Sequence, residues 1–408
     1  MTDDTIESLR IEARRAPTSG IVDTVNYGRL VPGLIPLWVG EGDLPTPAFI
    51  AEAATRSLAA GETFYTWQRG VPELRAAIAR RMSAIYGRTL SPERFFVTSG
   101  GMHAVQIAMR MVAGAGEEVI VPTPAWPNFA GALTVSGATP VEVPMDPSPE
   151  GFSLDLAKLE AAITPRTRAI ALNSPANPTG WTATRAELGA ILEIARARGL
   201  WIVADEIYHR FVFDARVREG ERAASFHDVR REGDRILFVQ TLSKNYAMTG
   251  WRIGWLEADP ELGQTIENLI QYSSSGTPVF VQRAAVAALD HGEGFVAHQI
   301  ARAVEGRALV SQALARVPGL TFVPPPGAFY AFFGLPGADA PALARRIVDE
   351  ARIGLAPGTA FGAGGAGFLR LCFARRAEDL AAAMERLVPV LNAAAAEGER
   401  SRPVQVRA

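Results

Sequence analysis

Lysine is nearly absent from this chain. Of 41 lysines and arginines in 408 residues, only Lys158 and Lys244 are lysines. Cysteine is rarer still. Cys372 stands alone, which excludes an internal disulfide framework and suits a reducing cytosol. The five histidines, His103, His209, His227, His291 and His298, show no ligand spacing with cysteine or carboxylates, so no metal site is expected. The formal net charge is −2 and no long run of one sign occurs. That argues against nucleic acid or an anionic membrane as the main partner. No apolar run reaches the length of a membrane span, and the acidic start Met1-Thr2-Asp3-Asp4 does not read as a signal peptide. A cytoplasmic location is expected.

What is present is ordinary in bulk, at 48% hydrophobic and 21% charged residues. The length exceeds that of one simple core, which predicts two domains. The middle alternates short apolar runs with amphipathic stretches, as βα units do. Strands are expected at Phe95–Thr98, Glu118–Val121, Ala169–Leu172, Trp201–Ala204 and Ile236–Gln240, and another at Ile253–Glu257. Helices are expected at His103–Val112, Leu154–Ile163 and Arg185–Arg198, the last opened by a capping box at Thr184 and Glu187. The fold class is therefore α/β, with a mostly parallel sheet covered by helices on both faces. One long helix, about Val279–Val317, leads to a smaller α+β region with strands at Leu320–Val323, Phe329–Phe333 and Phe368–Phe373. The expected division is 46–290 for the large domain, 1–45 with 291–396 for the small one, and a disordered polar tail at 397–408. The segment before Thr46 is rich in turns and is expected to pack on the small domain.

Arginine keeps its charge at ordinary pH, whereas a desolvated lysine can lose its proton and form an imine with an aldehyde. A lysine retained among 39 arginines therefore points to amine chemistry. For Lys158 a surface role suffices. Lys244 stands in Thr241-Leu242-Ser243-Lys244-Asn245-Tyr246-Ala247-Met248-Thr249-Gly250-Trp251-Arg252-Ile253-Gly254, and its surroundings decide. Parallel α/β sheets place their sites beyond the C-terminal strand ends. Asp205-Glu206-Ile207-Tyr208, at such an end, would alone be a helix cap. Ser174-Pro175-Ala176-Asn177-Pro178-Thr179-Gly180 would alone be a turn. Ser99-Gly100-Gly101-Met102-His103 offers free N–H groups at a helix start, where a phosphate would be welcome. Arg252 could pair bidentately with that phosphate.

In this order and together, these residues resemble the class I/II aminotransferases, pyridoxal-phosphate-dependent enzymes of fold type I. The resemblance runs from about Ser19 to Val388. It implies a large cofactor-binding domain with a mixed, mostly parallel sheet between helices, plus a smaller α+β domain. It implies pyridoxal 5'-phosphate as cofactor, with Lys244 as Schiff-base lysine and proton shuttle. Asp205 would pair with the pyridine nitrogen, and Asn177 and Tyr208 with the phenolic oxygen. Trp126 would stack on the ring. Gly100, Gly101, Met102, Thr241, Ser243 and Arg252 would hold the phosphate. Tyr65 would reach the phosphate of a neighbouring subunit, and Thr277 lies in a segment that also crosses over in relatives. A homodimer with sites at its interface follows from the resemblance. Arg370 would clamp the substrate α-carboxylate beside Asn177 and the N–H of Gly40.

The implied activity is transfer of an amino group from an L-amino acid to a 2-oxo acid by a ping-pong mechanism. Two alternatives stand beside it. One is a C–S β-lyase on the same scaffold, although such lyases usually lack the Thr249–Gly254 wording. The other is a non-catalytic relative, which could dispense with the lysine or the aspartate. Several relatives that take acidic substrates carry a lysine at the position of Met102. Its absence, with Trp38, Phe64, Trp67 and Phe361 expected nearby, favours neutral or aromatic donors. Gly362-Ala363-Gly364-Gly365-Ala366-Gly367 spells a dinucleotide fingerprint but precedes a strand instead of following one, so it reads as a loop.

Overall fold

The computed structural model describes residues 3–400. Seven strands form the central sheet. They are β1 (Phe95–Thr98), β2 (Glu118–Thr123), β3 (Thr139–Pro144), β4 (Thr167–Asn173), β5 (Trp201–Asp205), β6 (Ile236–Thr241) and β7 (Gly254–Glu257). Their spatial order is β1-β7-β6-β5-β4-β2-β3. Only β7 runs antiparallel to its neighbours; the other pairings are parallel. The inner strands are buried along almost their whole length, which is why they read as unbroken apolar runs. β3 escaped the sequence reading. It is an edge strand with mostly part-exposed residues, and it carries Pro140 and Pro144, which an edge tolerates better than a central strand.

A second, antiparallel sheet has β8 (Tyr330–Gly334), β9 (Ala356–Pro357) and β10 (Phe368–Cys372) in the order β8-β10-β9. Helix Ala340–Ala351 packs beside it, and helix Ala377–Arg400 packs on that helix. The N-terminal segment joins this side of the molecule. Ile35–Pro36 pairs in parallel with Ile353–Gly354, and the Cys372 N–H donates to the Leu37 carbonyl at 2.9 Å. That segment also holds a helix, Gly20–Gly28.

Helix Arg185–Arg198 has both halves of its capping box, Thr184 with Glu187. Other expectations need correction. The long helix is two, Val279–His291 and Glu293–Leu314. They part at Gly292, where a Cβ would lie 2.4 Å from the Ala288 carbonyl oxygen and 2.7 Å from the Tyr246 ring. Leu320–Val323 makes a single bridge, Thr321 to Gly334, because the following Pro324-Pro325-Pro326 cannot donate to a ladder. The helix around Lys158 is shorter than expected, Leu156–Ala161, started by Asp155. Of the expected tail, 397–400 continue the last helix, in keeping with its run of good helix formers; 401–408 lie outside the described residues. Among the described residues no helix is long and apolar enough to cross a membrane.

Candidate active site

Parallel strands end together, so their C-terminal residues meet. Asn173 at the end of β4 pairs with Asp205 at the end of β5, and Asp205 with Val239 two residues before the end of β6. Beyond β6 the chain turns through Ser243 and Lys244 and returns as β7. These residues line one cavity of about 410 Å³ with Gly40, Gly101, Met102, Trp126, Asn177, Tyr208, Thr241, Arg252, Tyr330 and Arg370. Residues spread over more than 300 positions thus converge on one space.

Two titratable groups there are displaced from their usual range. Burial pushes the Asp205 carboxyl up to about 7. It is 1% exposed, and its only hydrogen bond among the described residues is a backbone one, from the Ile207 N–H at 3.3 Å. Burial lowers Lys244 to about 8. A pKa of 8 leaves roughly a tenth of the amine uncharged at pH 7, where an ordinary lysine leaves almost none. Its Nζ donates to the Gly40 carbonyl at 2.6 Å.

An anion cradle lies at one end. The helix Gly101–Val112 starts without a side-chain cap, and the Gly101 and Met102 N–H groups bond to nothing among the described residues. Such donors favour an anion. Gly100 has φ of +87°, which favours glycine, and a Cβ there would lie 2.6 Å from Arg252 Nη2, so a larger residue would also displace that guanidinium. Gly254 is needed for the same reason. A Cβ on it would meet the Gln240 carbonyl at 2.5 Å and the Gly101 nitrogen at 3.0 Å. Thr241 Oγ1 lies 2.9 Å from Ser243 Oγ, and both residues are buried.

At the other end Arg370, on β10, is 2% exposed. It donates to Asn177 Oδ1 at 2.8 Å and to the Trp38 carbonyl. Its guanidinium lies between the Tyr330 and Phe361 rings, 4.8 Å from each centroid. Its Nε has no partner among the described residues. A buried cation without a carboxylate is costly, and among the described residues Arg370 has only neutral oxygens as partners, a setting that suits an anion.

Some expected residues lie elsewhere. Tyr65 is 95% exposed, and Phe64 and Trp67 stand out beside it; none lines the cavity of its own chain. Thr277 is buried, its Oγ1 3.5 Å from Ser99 Oγ. Trp38 and Phe361 support Arg370 and do not line the cavity. Several lining residues were missed, Asn173 and Tyr330 among them. Asn173 donates to the Asp205 carbonyl at 3.0 Å and accepts from the Asn177 N–H at 2.7 Å, tying two strand ends together. Tyr330 sits 2.7 Å from the Tyr208 hydroxyl. Phe329-Tyr330-Ala331-Phe332-Phe333 reads as plain strand, and only an unmatched hydroxyl in an apolar run could have drawn notice.

The family model for class I and II aminotransferases matches residues 32–387. The chain belongs to that family. An aspartate aminotransferase of Thermotoga maritima is 33% identical over 359 residues, covering 88% of this chain and 92% of that protein. An arginine–pyruvate transaminase of Pseudomonas aeruginosa is 36% identical, over 86% of this chain and 88% of its own length. Among solved structures, an aromatic aminotransferase of Pyrococcus horikoshii superposes with a TM-score of 0.83 at 32% identity, covering 93% of this chain and 99% of that one. This aminotransferase is thus a transferase of the pyridoxal-phosphate-dependent fold. Its cavity suits the cofactor that the family implies. Asp205 presents a nearly unpartnered carboxyl, as a ring-nitrogen partner must. The uncapped helix start beside Arg252 suits a phosphate.

Proposed function

We propose that this aminotransferase binds pyridoxal 5'-phosphate at Lys244 and moves the amino group of an L-amino acid to a 2-oxo acid by a ping-pong mechanism, with neutral or aromatic donors preferred. The observation that carries the reading is geometric: Lys244, the nearly unpartnered carboxyl of Asp205, the uncapped helix start at Gly101 and the Arg370 guanidinium line one cavity, where burial lowers the lysine to about 8 and raises the carboxyl to about 7. An acid and a base pushed toward neutrality within one cavity suit working groups.

When bound, the cofactor supplies the electron sink that accepts the pair left by Cα deprotonation. Lys244 Nζ would hold it covalently and, once freed, carry the proton from the donor Cα. Asp205 would keep a proton at the ring nitrogen. The Gly101 and Met102 N–H groups, Gly100, Thr241, Ser243 and Arg252 would hold its phosphate, and Trp126 would cover its face. Asn177 and Tyr208 would bond its phenolic oxygen. Arg370 would bind the donor carboxylate with two parallel N–H groups, helped by the Gly40 N–H.

Two features support the donor preference. Among the described residues, the charged ones lining the cavity are Asp205, Lys244, Arg252 and Arg370, each with a role in this reading already. A neighbouring cavity of about 570 Å³ shares Met102, Trp126 and Asn128 with it, and the charged residues lining it are the acidic Asp23 and Glu142. Neither offers a spare cation to a side-chain carboxylate. Tyr65, exposed with Phe64 and Trp67, suits a homodimer in which it completes the partner's phosphate site. The division 46–290 against 1–45 with 291–396 belongs to this reading, supported by the pairing of Ile35–Pro36 with Ile353–Gly354. A cytoplasmic location completes it.

The test is optical. Protein loaded with pyridoxal phosphate is mixed with single amino acids, and conversion of the lysine-bound absorbance to that of the pyridoxamine form is followed. Neutral and aromatic donors should convert it fastest. A preference for aspartate or glutamate would overturn the donor assignment. Failure of every donor, or steady ammonia release without an acceptor, would overturn the transfer reaction.

A further inference from the structure

We propose that Tyr330 is a positioning residue of this site, whose hydroxyl donates to Tyr208 and so turns the Tyr208 hydrogen toward the cavity. The inference rests on the cofactor reading above. Tyr330 lies on β8, far in sequence from every motif around Lys244, yet it lines the same cavity. It is fully buried, and Tyr208 nearly so. Their hydroxyl oxygens are 2.7 Å apart, and their rings meet edge-on with centroids 5.6 Å apart.

Proton accounting gives the direction. Among the described residues neither hydroxyl has another hydrogen-bond partner. Two phenols carry two hydrogens and share one contact. If Tyr208 donated, the Tyr330 hydrogen would be left without an acceptor in a buried place, which is costly. The Tyr330 hydroxyl is also hemmed in by Gly40, where a Cβ would lie only 2.2 Å from it. If Tyr330 donates, its hydrogen is satisfied and the Tyr208 hydrogen is free. Both residues line the cavity, but the Gly40 backbone closes in on the Tyr330 hydroxyl, so the Tyr208 hydrogen has the freer path. A hydroxyl that accepts one hydrogen bond also donates a stronger one.

Tyr330 is held firmly enough for this task. The Arg370 guanidinium stacks on one face, 4.8 Å from the centroid, and Phe329 packs at 4.9 Å. Gly40, against which its hydroxyl rests, takes the Lys244 ammonium on its carbonyl. One side chain thus touches Tyr208, the carboxylate clamp and the residue bonded to the lysine. A purely structural core tyrosine would need a ring here but no hydroxyl.

The test uses Tyr330→Phe, which keeps the ring under Arg370 and removes only the oxygen. Wild type, Tyr330→Phe, Tyr208→Phe and the double variant are loaded with pyridoxal phosphate, and the absorbance of each is titrated with pH. Weakening the Tyr208 bond makes the cofactor's phenolic oxygen more basic, so a neighbouring proton is retained to higher pH. Tyr330→Phe should raise the titration midpoint by about half a unit to one unit. It should lower kcat about fivefold and leave KM for the donor within about twofold, because the ring still supports Arg370. In the Tyr208→Phe background, removing the Tyr330 hydroxyl should move the midpoint no further. An unmoved midpoint overturns the proposal, as does an equal shift without Tyr208. A raised KM with an unmoved midpoint would mark a packing role and also overturns it. Wild-type protein that shows no lysine-bound absorbance speaks instead against the cofactor reading.

Discussion

Asp205 and Glu206 are consecutive carboxylates, both buried, and they belong to two different regions. Asp205 faces the cavity with one backbone hydrogen bond. Glu206 points the other way, into a polar cluster behind the sheet. It accepts from Ser225 Oγ at 2.9 and 2.7 Å, from the Tyr86 hydroxyl at 3.0 Å and from the Phe226 N–H at 3.1 Å. Nearby, Arg222 holds Asp228 through both of its terminal nitrogens. Burial raises the pKa of both carboxyls. A raised pKa therefore does not separate a site from a structural network. What separates them is satisfaction: donors from its own chain surround Glu206, and Asp205 waits for one.

The largest expected effect tests the cavity side. Lys244→Ala should lower turnover about 10⁴-fold or more and abolish the lysine-bound cofactor absorbance, while Lys158→Ala changes neither. Next comes the direct contrast. Asp205→Asn should cut kcat by about 10²–10⁴-fold with an unchanged or higher melting temperature. Glu206→Gln should cost about 1–3 kcal/mol of stability and leave kcat within a few-fold. Denaturant unfolding alongside kinetics reads both, and swapped outcomes would break the comparison. Arg370→Lys loses the bidentate fork and should raise KM for the donor about 10- to 100-fold.

A smaller effect appears in pH dependence. The folded protein holds the Asp205 proton up to about 7, whereas the ordinary value is 3.8. Between these values the native state binds more protons than the unfolded chain, so this group's contribution to stability falls as pH rises and levels off above 7. In cofactor-free protein the melting temperature of wild type, relative to Asp205→Asn, should drop across that window. A flat difference would mean that Asp205 is not desolvated. Smallest is Thr184→Ala, which removes the capping box far from the cavity. It should cost about 1 kcal/mol with kinetics unaltered.

Much of the architecture was legible because the signals are local. Buried parallel strands read as apolar runs, and Thr184 with Glu187 announces a helix start. Lys244, Asp205, Asn177 and Arg252 drew attention through residue type and position after strands. What escaped depended on distant neighbours. The helix break falls at Gly292, which lies against the Tyr246 ring. Strand β3 exists because β2 offers an edge to a proline-bearing segment. Tyr330 has no motif around it, and its hydroxyl gains meaning only against Tyr208.

The sequence by itself determined the chemistry available: one retained lysine, carboxylates at strand ends, a glycine-rich helix start and arginines suited to anions. Residue type and short-range periodicity carry that information without any fold. Only the tertiary structure decided which of two adjacent acids, Asp205 or Glu206, is left open. The reason is physical. Whether a buried polar group is satisfied depends on donors brought from elsewhere in the chain, here Tyr86 and Ser225 for Glu206, and no local pattern around residue 205 encodes where they arrive.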